Sequence, residues 1–249
     1  MSLELYNFAW FQDFNQATID LSALAMNENW DYNTTPSGKH PILFNYIHHT
    51  YNKLLSESKI ISEKDYASFN TGLVTNNQEE IFAYFEKNKK PQARQTWYFK
   101  GWRKKSDRDL MKFSILPDVA NYFNNPDELI YDIRLDLRIN IDHIIDDNIS
   151  RFPSTLPQDK YMLSNLLNGT IDEAKSRLRR NYKTAIPQFF NNKIQLLLPL
   201  CLTSKSVADL ALVVEKDNGN YRATTILTLD MAINNARLIA KPDDEWLKV

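Results

Sequence analysis

The chain is short of cysteine and glycine: its 249 residues include one Cys and five Gly. A single thiol, Cys201, excludes an intramolecular disulfide and a cysteine zinc cluster. Its place inside the apolar run at 194–202 predicts a small buried thiol rather than a reactive one. With five Gly and ten Pro spread singly, no linker, repeat or low-complexity tract marks a second domain. The same apolar run is the longest near-continuous one and is too short to cross a bilayer. The opening MSLELYNFAW puts no basic segment ahead of a hydrophobic one, so a cytoplasmic chain with no membrane partner is expected. A net charge of -1 lacks the positive field of a duplex-DNA binder, which leaves any nucleic-acid affinity to a local patch. Walker, dinucleotide and nucleophile-elbow motifs are also missing, which disfavours P-loop, Rossmann and α/β-hydrolase chemistry.

What is present is ordinary for a folded protein: 43% hydrophobic and 24% charged residues, with 13 Phe, 12 Tyr and 5 Trp to fill an aromatic core. One globular domain over residues 1–249 is expected. Helical spacing marks residues 15–26 and a second helix from Pro41 to near Glu57. Strand texture follows in YASFNTGLV, read as turning at Asn70-Thr71-Gly72, in EEIFAYFEK, and in TWYFKGW, where Gly101 marks a bulge or a close approach. IYDIRLDLRINID alternates apolar and polar residues and predicts a half-buried strand, although Ile133, Leu137 and Ile141 also recur every four residues as in a helix. A short helix capped by Asp142, a longer one over 157–180 with a weak spot at Gly169, three strands and a final helix capped by Asp230 complete the reading. Hairpins outnumber βαβ units, so the fold class is α+β, a mainly antiparallel sheet flanked by helices.

Several long blocks resemble one family. NYKTAIPQFFNNKIQLLLPLCL and ADLALVVEKDNGNYRATTILTLDMAINNARLIAKP with a closing WL, preceded in order by HPILFNYIHHTY, FNTGL and NIDHIIDDNISRFP, are similar to the domain-of-unknown-function family DUF3825. The resemblance spans most of the chain. It implies no activity, only a tilt towards RNA, since some relatives sit beside RNA-binding domains. Related sequences tend to carry Tyr where this chain has Ile233, which reads as a packing change.

Two constellations carry the functional expectation. From Lys87 to Lys105 eight cations occur without an acid, interleaved with Trp97, Tyr98, Phe99 and Trp102. Cations on phosphates and rings on bases are what a single-stranded nucleic-acid binder needs, and Lys100, Trp102, Arg103 and Lys104 form its expected patch. The alternative is a strand with its rings buried and its lysines solvated. The second constellation is Arg134, Arg138, Asn140, His143, Asn148 and Arg151. Arg134 and Arg138 point the same way on a strand and are suited to fork onto phosphate, with His143 beside them as general acid or base. A ladder of these arginines with Asp132, Asp136 and Asp142 is the competing reading.

Lys175, Arg179 and Lys183 form one helical stripe that would extend a phosphate track. Asn70 and Thr71 are expected to cradle a phosphate or base. Asp142 with Asp146, or His143 with Asp147, is compatible with Mg²⁺ as a cofactor, and one of His48 and His49 reads as a satisfied core histidine. The expectation is therefore an RNA- or nucleotide-binding domain, with Arg134, Arg138, Arg151 and Lys183 on phosphate and Asn70, Asn140 and Asn148 on polar edges. As an enzyme it would be a phosphodiesterase or phosphohydrolase using His143. The other class is a non-catalytic module docking RNA or an acidic protein through the basic-aromatic patch. Homo-oligomerisation through an edge strand stays open.

Overall fold

The computed structural model describes residues 4–32, 38–90 and 92–241. The fold is α+β with mainly antiparallel sheet, as expected, and the strands divide between two five-stranded sheets in two compact units, Met1–Asn121 and Tyr122–Val249.

In the first unit α1 (Glu4–Phe8), β1 (Ala9–Trp10), α2 (Phe14–Leu24) and α3 (Pro41–Ser56) precede β2 (Ile61–Ser62), β3 (Tyr66–Val74), β4 (Glu80–Lys87) and β5 (Trp97–Lys104). Asp13 caps α2 by accepting from the Gln16 amide, and Pro41 opens α3 where a missing N–H costs nothing. The apolar stripe of α3 meets β3, and Tyr51, Phe69 and Phe85 are all buried there. The opposite face of the sheet is covered over Phe82 and Tyr84 by Leu110 and Phe113.

Asn70-Thr71-Gly72 does not turn the chain. It lies within β3 at a bulge, because the Asn70 side chain accepts from the Gly72 amide and Thr71 donates to the Ile81 carbonyl. Gly72 holds φ at +73°, and an added Cβ would lie 2.8 Å from the Tyr46 hydroxyl. That hydroxyl in turn donates to the Thr71 carbonyl. Gly72→Ala is therefore expected to cost about 1–3 kcal/mol, read as a lowered urea midpoint. An unchanged midpoint would contradict the contact.

The second unit repeats this plan. Strand β6 (Leu137–Arg138), α4 (Ile141–Asn148) and α5 (Lys160–Arg180) precede β7 (Ile186–Phe190), β8 (Lys193–Leu200), β9 (Leu210–Asp217) and β10 (Asn220–Thr228), and α6 (Leu229–Arg237) ends it. The sheet orders are β1-β5-β4-β3-β2 and β6-β10-β9-β8-β7: each is an antiparallel meander whose last strand is flanked by a two-residue parallel strand. No repeat was visible in the sequence, because the two units share strand pairings rather than residue identities. Helices α4 and α5 bury Ile144, Ile145, Leu167 and Ile171 against Leu196, Leu198, Leu212 and Val214.

Four local expectations differ here. The alternating segment around Ile133 is strand only at Leu137–Arg138. Asp132 accepts from the Arg134 amide and draws the chain into a turn, which leaves Ile133 54% exposed. Asn140 rather than Asp142 caps α4, and Thr228 rather than Asp230 caps α6, in each case because its side chain reaches the amide three residues on. The weak spot at Gly169 stays inside α5. Cys201 is partly exposed, with burial raising its thiol pKa and Arg177 opposing that shift.

Candidate functional site

The second unit carries an open recess of about 510 Å³ at the β6 edge of its sheet, lined by Arg138, Ile139, Asn140, His143, Arg222, Ala223 and Thr224. Its geometry follows from two local features. Arg138 and Arg222 are register partners in the parallel β6–β10 pairing, which sets them side by side. Thr224 is the unpaired residue of a bulge between Ala223 and Thr225, and bulges bend a strand and redirect its side chains.

Two cations side by side repel unless something negative lies near. Arg222 is met by Glu215 at 2.7 Å and by Asp217 at 3.9 Å, and its guanidinium pKa is raised chiefly by the hydrogen bond to Glu215. Arg138 is exposed and has no acidic partner among the described residues. The first turn of α4 adds the partial positive charge of a helix start, since Asn140 caps it and accepts from the His143 amide at 3.2 Å. His143 is exposed, and its Nε2 lies 3.3 Å from Asp147 one turn on.

Of the residues expected to act together, the recess thus gathers Arg138, Asn140 and His143 and adds Arg222, which the sequence reading missed. The signal was present: Arg222 follows the Asp217-Asn218-Gly219-Asn220 turn in β10, but only the parallel pairing of β6 brings it beside Arg138. Arg134 is corrected, because it forks onto Asp132 with two 2.8 Å contacts and holds that carboxyl down at about 2. Asn148 and Arg151 are corrected to a supporting role. Arg151 donates to the Thr225 hydroxyl and the Ile226 carbonyl, and Thr225 donates to Asn148, so the two pin the strand just past the bulge.

Lys183 lies beyond the end of α5, in a short turn capped by Asn181, which breaks the expected stripe with Lys175 and Arg179. Lys183 instead borders a separate, largely apolar hollow of about 210 Å³ with Ile130, Ile186 and Ala236. Asp142 and Asp146 do not stand open as an Mg²⁺ pair, since Lys160 lies 2.8 Å from Asp146 and 3.9 Å from Asp142. Among the described residues no group of three or more His, Cys, Asp or Glu is arranged to hold a metal ion.

In the first unit Asn70 and Thr71 are buried and bonded to Glu80, Pro117 and Ile81, so they face no ligand. The expected basic-aromatic patch is also rearranged. Trp102 is buried and donates to the Ala17 carbonyl, and Arg103 donates to Asp109 and to the carbonyls of Lys100 and Trp102. Lys104 is partly buried, while Lys100 is exposed above the Tyr98 ring. His48 lies in the core as expected, yet neither of its ring nitrogens has a partner.

The profile of the family described as domain of unknown function (DUF3825) matches residues 21–246, and the chain belongs to that family. No curated protein and no solved structure matches it. No helix among the described residues is long and apolar enough to cross a membrane.

Proposed function

We propose that the protein binds RNA or a nucleotide through its phosphates, and that the Arg138–Arg222 recess is where it does so. One observation carries the reading: two arginines are held side by side at a concave edge, and one of them lacks any carboxylate among the described residues. A phosphate relieves the repulsion, takes forked N–H donors from Arg138, and faces the helix start capped by Asn140. Asn148 and Arg151 act behind the wall by fixing the bulged strand.

The test is fluorescence anisotropy of a labelled single-stranded RNA and of labelled nucleotides with wild type and Arg138→Glu. Loss of a charge-assisted contact and gain of a repulsive one are expected to weaken binding by about tenfold or more. Binding that falls with salt but is equal in the two proteins would refute the assignment of the recess.

A hydrolytic reading of the same recess is supported by one contact, the approach of His143 to Asp147, since a carboxylate that orients an imidazole suits general acid–base work. Incubating the same RNA and nucleotides with and without Mg²⁺ separates the two. Product formed by wild type and lost in His143→Ala supports phosphodiester or phosphate-ester cleavage; binding without product supports the binding module.

A further inference from the structure

The two sheets correspond pair by pair. Ile61 faces Ser68 as Ile186 faces Leu197, and Phe69 faces Ala83 as Leu198 faces Leu212. Glu86 faces Tyr98 as Glu215 faces Arg222. The unpaired residue in the last strand falls in the same place, Lys100 in β5 and Thr224 in β10. The pair equivalent to Arg138 and Arg222 is then Trp10 and Tyr98, which are register partners in the β1–β5 pairing.

We infer that the Trp10–Tyr98 edge of the first unit is a second ligand site, built on the plan of the Arg138–Arg222 edge, that stacks a base of single-stranded nucleic acid. The rings lie 5.1 Å apart between centroids and 30° from parallel, and Trp10 is 40% exposed. Leu110 and Phe113 cover the same sheet over Phe82 and Tyr84, but neither ring is part of that cluster. The Lys100 ammonium sits 5.6 Å from the Tyr98 ring centre, and Glu86 approaches it only to 3.9 Å.

Charge chooses the occupant. The loop between β4 and β5 leaves the sheet beside Tyr98 and carries Lys89, Lys90 and Arg94, all exposed and without an ion pair among the described residues. An exposed ring pair on strands that a loop of uncompensated cations leads into matches a ligand with planar bases on a phosphate chain. A duplex hides its base faces, and an acidic peptide such as poly-glutamate has no aromatic surface to stack. The site is argued from its own rings and cations, while its comparison with a phosphate-binding edge rests on the reading proposed above for the second unit.

The experiment is anisotropy with one labelled RNA oligonucleotide, single-stranded and annealed to its complement, and with a labelled poly-glutamate peptide. Trp10→Ala is expected to weaken single-strand binding about tenfold and leave duplex binding unchanged. Lys89→Glu with Lys90→Glu, in an exposed loop where folding is not at issue, is expected to weaken it too and to flatten its salt dependence. Unchanged single-strand affinity in both variants overturns the site, as does equal loss on the duplex or equally tight, Trp10-dependent binding of the peptide. Arg138→Glu serves as the independent arm. If it has no effect while Trp10→Ala does, the second-unit reading fails and the stacking site stands; the reverse result removes the stacking site alone.

Discussion

Trp102→Ala is expected to destabilise the protein by about 3–5 kcal/mol while leaving the RNA affinity of the folded fraction unchanged. The ring is 8% exposed, packs edge-on against Phe99 at 4.9 Å, and its Nε1 donates to the Ala17 carbonyl at 2.6 Å, tying β5 to α2. Truncation removes a large apolar area, opens a cavity and leaves that carbonyl without its donor. Trp102→Phe keeps most of the packing and loses the hydrogen bond, so a cost of about 1–3 kcal/mol is expected. Urea denaturation reads both. A Trp102→Ala protein of native stability that no longer binds RNA would return this residue to the surface patch suggested by its basic neighbours.

Acid is expected to weaken the first unit through His48. Burial, with a smaller contribution from His49, lowers the His48 pKa from 6.5 to about 4. Its surroundings explain why: Tyr6, Phe14 and Phe44 press on the imidazole at 4.7–5.1 Å between ring centres, and neither nitrogen finds a partner. Between those two pKa values the unfolded chain binds a proton that the folded one refuses, so stability falls as pH drops through this window. It is undiminished above pH 6.5 and fully reduced below about pH 4. A shift of that size corresponds to about 3 kcal/mol. His48→Phe is expected to remove most of the slope without lowering stability at neutral pH, because an apolar ring suits an apolar pocket. An equal slope in the variant would place the titrating group elsewhere.

Much of the fold was legible because it depends on local chemistry. Pro41, the Asp217-Asn218-Gly219-Asn220 turn and the glycine next to the β5 bulge, Gly101, each did what their residue types favour. Two of the failures share one cause, competition from short polar side chains. Asp132 drew its segment out of the sheet, and Asn70 bent a strand without ending it.

The candidate site was half legible. Arg138, Asn140 and His143 lie within six residues and were readable together, whereas Arg222 and Trp10 gain meaning only through parallel pairings with partners more than eighty residues distant. The duplication of plan was illegible for the same reason. What the two units share is register, and Phe69 with Ala83 satisfies the same pairing as Leu198 with Leu212.

The most direct measurement is backbone and arginine side-chain NMR during titration with a nucleoside diphosphate. Shifts that saturate and centre on Arg138, Asn140, His143, Arg222 and Thr224 are the predicted result. Saturating shifts that leave these five residues untouched, or none at millimolar ligand, would show that the paired arginines do not hold a phosphate.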